Sequence, residues 1–423
     1  MTVTETRGLS PVKTVLPDGA TVVVQETATT PAVTISASFL AGGLYEPQDL
    51  LGLAFLTGRV LDRGTEQRSA DVLADALDER GVSLRVGTTR HTMTLSCTCL
   101  QEDFDEMLAV IVDVVRRPTF PEPEVEKKRA ETITLLRQDE DNPAVRAVES
   151  LFELLYGPTH PYGRRAKGTV ETLGRISRAD MAAFHRSRMG PASLSLVIVG
   201  DVSQIRALDR AAAELEGWTG AASAPVAVPP PFVAPSRRHR FIHMPGKSQA
   251  DIAYGVTTIR RVDPRYYAYW MMNNVLGQFG LGGRLADNIR ERQGMAYYTF
   301  SAFDPNVGEG PLVVRAGVDP ANVDRALAAI DHEVAALAAA GPTPRELAET
   351  RDYLIGSIPR LLETNQSIAA FLQASEQFGL GLDYDRRLAD LLRAVTLEDV
   401  RAAAAEALRP ERAAVAVAGP HES

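Results

Sequence analysis

Apolar and polar residues alternate along positions 33–40, and a short β-branched run, Thr-Val-Val-Val-Gln, fills 21–25. Successive side chains of a strand point to opposite faces, so the period of two and the valine run predict a pair of strands near the start of the chain. Farther on the period lengthens. Residues 70–80, 104–116 and 122–137 read as helices, the second with clear apolar periodicity and the third rich in charge. Apolar strands at 194–199 and 413–418 close the two halves of the chain. Strands mixed with helix pairs, without strict β-α alternation, predict an α+β fold rather than a doubly wound sheet.

The clearest break lies at 221–236, which holds Pro225, Pro229, Pro230, Pro231 and Pro235. Such a stretch is stiff, extended and poor in core-forming residues. It separates an N-terminal domain, 1–220, from a C-terminal domain, 237–423. The two share a pattern. Residues 73–81 and 285–294 both read as a helix stopped by glycine and followed by an alternating strand. Residues 104–108 and 323–327 both open apolar-periodic helices that precede a Pro-Thr turn, at Pro118 and Pro342. Several matches in the same order predict two copies of one α+β domain.

Composition narrows the possible functions. The 423 residues carry 45 basic and 54 acidic side chains, a net charge of −9. Nucleic-acid binders usually show a basic footprint, and membrane anchors a polybasic one, so neither is expected. No apolar run is long enough to span a membrane or to form a signal-peptide core, which makes the cytoplasm the default location. Cys97 and Cys99 lie on one face of a predicted strand and read as reduced core thiols. Seven histidines are scattered. His239 and His243 are four apart, but in what reads as a strand, so they are expected at the surface.

Several segments carry a family resemblance when taken in order: Leu16-Pro17-Asp18-Gly19, then Gly43-Leu44-Tyr45-Glu46 before Gly52-Leu53-Ala54, and His160-Pro161-Tyr162-Gly163 before Gly168. In the second half, Asn274-Val275-Leu276-Gly277 leads to Gly282-Gly283-Arg284-Leu285, and an Ile-Arg-Glu-Arg-Gln-Gly-Met-Ala-Tyr run spans 289–297. Together they resemble the insulinase-type M16 metallopeptidases, in particular short two-domain chains such as those of the processing peptidases. The resemblance implies two similar α+β domains of the LuxS/metallohydrolase type in a clamshell.

That family binds zinc through an inverted His-x-x-Glu-His on a helix, where two histidines four apart share one face and the glutamate acts as base on metal-bound water. Here the matching positions are Phe55, Gly58 and Arg59. Arg59 has no lone pair free for a metal and keeps its charge. The third ligand falls near Thr134, Leu135 or Leu136; Glu131 is close but out of register. The resemblance therefore implies a chain without zinc of its own, inactive as a protease alone.

A second element of the family is an arginine and a tyrosine seven positions apart, and Arg290 and Tyr297 match it. A guanidinium and a phenol can both donate hydrogen bonds to a peptide carbonyl and to the oxyanion it becomes. Tyr298 is expected on the opposite face. A glycine-rich stretch including Gly280, Gly282 and Gly283 resembles the loop with which metal-free processing-peptidase subunits draw substrate in, and reads equally well as a turn. The function implied is a non-catalytic, substrate-binding subunit of a heterodimeric M16 peptidase. The zinc would come from a partner with intact His-x-x-Glu-His, and the substrate would be a peptide or unfolded protein bound as an added strand. The alternative is an inactive M16-like scaffold subunit or homodimer.

Overall fold

The computed structural model describes residues 8–220, 224–278 and 282–420. Eleven strands form two sheets among them: β1 Val12–Val15, β2 Thr21–Glu26, β3 Ala32–Phe39, β4 Arg85–Thr88, β5 Met93–Leu100, β6 Ser195–Gly200, β7 Arg238–His243, β8 Ala250–Thr257, β9 Ala296–Phe303, β10 Pro311–Val318 and β11 Ala414–Gly419. The first sheet has the order β1-β2-β6-β3-β5-β4 and the second β7-β11-β8-β10-β9. Removing β1 and adding five to each remaining label of the first sheet gives the second. The pairing directions agree as well: β2 runs parallel to β6 as β7 does to β11, and the other neighbours are antiparallel. The internal repeat predicted from the short matches is present. The helix Ala70–Asp78 leads to β4, and the helical turn Ala286–Arg292 leads to β9, in the same place in each copy.

The compact units do not follow the halves of the chain. One consists of the described residues within Met1–Leu136, Arg165–Val226 and Ile358–Arg387; the other of those within Arg137–Arg164, Ala227–Ser357 and Leu388–Ser423. The crossing at Val226 falls inside the proline-rich stretch, but each half also gives a helix to the other's sheet. In the first unit, Ile368, Ala369 and Leu372 of the helix Asn365–Gln377 pack on Val23, Val197 and Val199. The alternate residues Leu196 and Ile198 face a larger core that includes Met107 and Ile111 of the helix Phe104–Arg116. Cover on both faces is why β6 is apolar at consecutive positions. In the second unit, Ala147, Leu151 and Leu155 of the helix Pro143–Tyr156 pack on Ala414, Ala416 and Ala418 of β11. Alanine on that face lets the helix lie close to the sheet.

Cys97 and Cys99 are buried and free on β5, and burial pushes both thiols up to about 12. They are therefore protonated at neutral pH and behave as small core hydrophobes. Among the described residues no helix is long and apolar enough to cross a membrane.

Candidate functional site

The helix Leu53–Val60 begins at Gly52, whose φ of 92° is left-handed. The buried Glu46 carboxylate accepts hydrogen bonds from the N–H groups of Gly52, at 3.1 Å, and Ala54, at 3.0 Å. A negative charge there satisfies orphan donors and complements the helix dipole. Gly52 and Gly168 meet across this helix start. A Cβ on Gly168 would lie 2.1 Å from the Leu51 carbonyl oxygen. These contacts account for the Gly-Leu-Tyr-Glu, Gly-Leu-Ala and Gly168 segments: they set the helix in place.

Phe55 and Arg59 occupy the half-exposed stripe of that helix, one turn apart. Arg59 pairs with Glu131 of the helix Glu122–Glu140 at 2.6 Å, and Lys128 reaches the same carboxylate at 2.9 Å. Hydrogen bonding from Lys128, and then from Arg59, holds the Glu131 carboxyl below its ordinary range. So Glu131, judged out of register from sequence, does face the helix and meets a guanidinium there. The pair is partly exposed and contributes up to about 1 kcal/mol. Gly58 is buried, and a Cβ on it would come within 2.4 Å of Thr88 Oγ1 on β4. A side chain at 58 has no room unless the Thr88 hydroxyl turns aside. Among the described residues no group of three metal-ligating side chains is gathered anywhere.

Arg290 and Tyr297 belong to the other unit. Arg290 lies in a wide helical turn whose Gln293 N–H bonds the Asn288 carbonyl at 3.1 Å; its side chain is 44% exposed, with Nε 3.3 Å from the Glu291 carboxylate. Gly294 then adopts a φ of 61° and turns the chain into β9. On β10, Val318 pairs with Ala296 and Gly317 with Tyr298, so Tyr297 is the extra residue of a β-bulge. A bulge leaves one residue out of the ladder and re-aims its side chain. Tyr297 is accordingly 75% exposed on an edge strand. Tyr298 is half-buried and donates its hydroxyl to the buried Asp251 carboxylate. Burial and that bond push its pKa up. The two adjacent tyrosines thus have opposite surroundings.

Of the glycines, Gly283 has a φ of 94°, and a Cβ on it would lie 2.8 Å from the Gly277 Cα. Two backbone segments approach closely there, which supports the turn reading. Gly282 is partly exposed, and Gly280 lies outside the described residues. His239 and His243 are both exposed on β7.

His160 has a structural task. Its Nδ1 accepts from the Tyr162 N–H at 3.0 Å, leaving Nε2–H to donate to the Pro229 carbonyl at 2.9 Å. Burial lowers the pKa of His160 and of His185, and brings that of His91 down to about 4. These rings stay neutral in the fold, whereas in the unfolded chain they take up protons near 6.5. The contribution of His91 to stability is complete above pH 6.5 and is lost as pH falls toward about 4, and those of His160 and His185 are lost in the same direction. Denaturant midpoints measured across that window should fall on acidification, and His91→Gln should make the fall shallower.

With this geometry in view, the chain was compared with known proteins. The profile of the peptidase M16 inactive domain matches residues 175–354. That of insulinase, peptidase family M16, matches residues 21–160. The chain belongs to the M16 peptidase family. Among M16 relatives, an uncharacterised zinc protease of Streptomyces coelicolor is 26% identical over 96% of this chain and 89% of its own length. The non-peptidase homologue YmxG of Helicobacter pylori is 24% identical over 90% of this chain and 87% of its own. The crystal structure of a peptidase M16 inactive domain from Pseudomonas fluorescens superposes with a TM-score of 0.91 at 25% identity, covering 98% of this chain and 99% of that one.

The helix Leu53–Val60 carries none of the donor side chains of the His-x-x-Glu-His pattern at the matching positions. Phe55 and Gly58 offer no lone pair, and Arg59 places a partnered cation where the second histidine would stand. The residues here do not fit a zinc ion. Arg290 and Tyr297 lie seven positions apart, the spacing expected of the family's arginine and tyrosine. Sequence reasoning missed the Arg59–Glu131 pair, and only the proximity of Glu131 to the expected ligand position hinted at it.

Proposed function

We propose that this chain is the non-hydrolytic, substrate-holding subunit of a two-chain M16 peptidase. A zinc-bearing M16 partner supplies the attacking water. Arg290 and Tyr297 of this chain donate hydrogen bonds to the scissile carbonyl, and these strengthen as negative charge builds on its oxygen. The peptide lies as an added strand on a sheet edge; β4 and β9 are outermost in their sheets, and β9 carries Tyr297. This chain holds no zinc of its own and works in the cytoplasm, in keeping with its two free thiols.

One contrast carries the reading. The helix matched to the zinc site carries no donor side chain at Phe55, Gly58 or Arg59, yet a bulge presents Tyr297 at the surface and Arg290, seven residues before it, is exposed. A mere scaffold has no need of that pair. The printed name of the Helicobacter pylori relative, a non-peptidase homologue, supports the absence of hydrolysis by this chain alone. Elemental analysis of the purified chain is the test: less than stoichiometric zinc is expected, and one zinc per chain surviving mild chelation would sink the proposal.

A further inference from the structure

The two copies of the domain differ at one edge. In the first sheet, β1 covers the outer edge of β2, running antiparallel to it, with Val15 opposite Thr21 at the start of β2. The counterpart of β2 in the second sheet is β7. No strand covers its outer edge among the described residues. Four of its six residues are exposed. A peptide taking the place of β1 would run antiparallel to β7, from His243 toward Arg238, and its C-terminal end would arrive beside Arg238.

A cleft of about 250 Å³ opens at the Arg238 end of the sheet, within the same unit, and reaches across to Val256 and Thr257 of β8. Arg238, Arg409 and Arg412 line it, together with the exposed Phe232 and Val233. None of the three arginines forms an ion pair among the described residues. Arg238 donates from Nη1 to the Leu154 carbonyl and its Nε is buried, which leaves the Nη2 group for a ligand. The acidic group of the lining, Glu406, is taken by Arg265 at 2.6 Å. An apolar wall facing guanidinium groups without counter-ions suits a carboxylate on a short apolar body. Guanidinium binds carboxylate through two parallel hydrogen bonds. The volume lies below the range of roughly 300–1,000 Å³ usual for cofactor pockets, and suits a single residue.

We infer that the open edge of β7 and the arginine cleft at its start bind the C-terminal residues of a peptide, with the terminal carboxylate on Arg238, Arg409 and Arg412 and an apolar last side chain against Phe232 and Val233. This site goes beyond the subunit role and does not depend on Arg290, Tyr297 or a partner chain.

The test uses the full chain alone and a fluorescein-labelled tetra-alanyl-leucine peptide, read by anisotropy. The free acid should bind. Its amide should bind about tenfold more weakly or worse, the weight of a charge-assisted hydrogen bond. The Arg409→Gln/Arg412→Gln double variant should lose a similar factor for the acid and little for the amide. Methylating alternate backbone nitrogens of the peptide should also weaken it, since strand addition needs those donors. Any of three results overturns the inference: no binding of the acid by the unaltered protein, equal binding of acid and amide, or octanoate binding as tightly as the peptide, which would make this a simple carboxylate site. The acid–amide comparison needs no variant, so a folding defect cannot obscure it.

Discussion

In a heterodimer with a zinc-bearing partner, Tyr297→Phe in this chain should slow peptide turnover by about 10²–10³, the usual consequence of losing one oxyanion donor. The substitution removes one hydroxyl and keeps the ring. Because Tyr297 is 75% exposed on a bulge, its hydroxyl supports no core contact, and stability and assembly should be unchanged. Arg290→Ala should give a loss of similar size. The effect should fall on kcat rather than KM, since the donors matter most after charge develops on the carbonyl. Tyr298→Phe is the control. It breaks the bond to Asp251 and leaves a buried carboxylate short of a donor, so it should cost stability more than turnover. Steady-state kinetics of the three heterodimers, with denaturant midpoints for each chain, separates these outcomes.

The largest effect on stability is expected in the other unit. Gly168→Ala should destabilise the chain by about 2–4 kcal/mol, because a non-glycine left-handed backbone is strained and the clash adds to it. Gly168 has a φ of 75°, and its new Cβ would meet the Leu51 carbonyl oxygen at 2.1 Å. No side chain can rotate away, since the obstacle is backbone. A urea midpoint that drops with an unchanged slope is the expected signature. A drop under about 1 kcal/mol would show that the loop relaxes freely. The energy would then not lie where the geometry puts it.

Which residues were legible in the sequence follows from what each depended on. The valine run at 21–25, the alternation at 33–40 and the apolar runs at the ends of the halves became β2, β3, β6 and β11, because burial in a sheet acts residue by residue. At Phe55 and Gly58 residue type alone speaks, since no conformation gives either side chain a lone pair. The helix exchange was not legible. The amphipathic pattern of Pro143–Tyr156 says that one face is buried but not against which sheet, and it packs on the second half's β11. Glu131 was missed because contact between two distant helices depends on how they slide past each other, which spacing does not encode. The bulge was hidden for a related reason. One extra residue in β9 leaves the local pattern nearly intact, yet it sets Tyr297 outside the ladder and fixes Tyr298 on Asp251. Spacing found Arg290 and Tyr297 as a pair; only the ladder showed how the tyrosine is presented.

The central claim is that this chain completes a peptidase it cannot form by itself. It is tested most directly by titrating the purified chain into a fixed amount of a zinc-bearing M16 partner and following cleavage of a fluorogenic peptide. The account predicts no hydrolysis by this chain alone, and a rate that rises on addition and saturates at one chain per partner. A partner whose rate is indifferent to this chain at every ratio would contradict it, as would zinc-dependent hydrolysis by this chain alone.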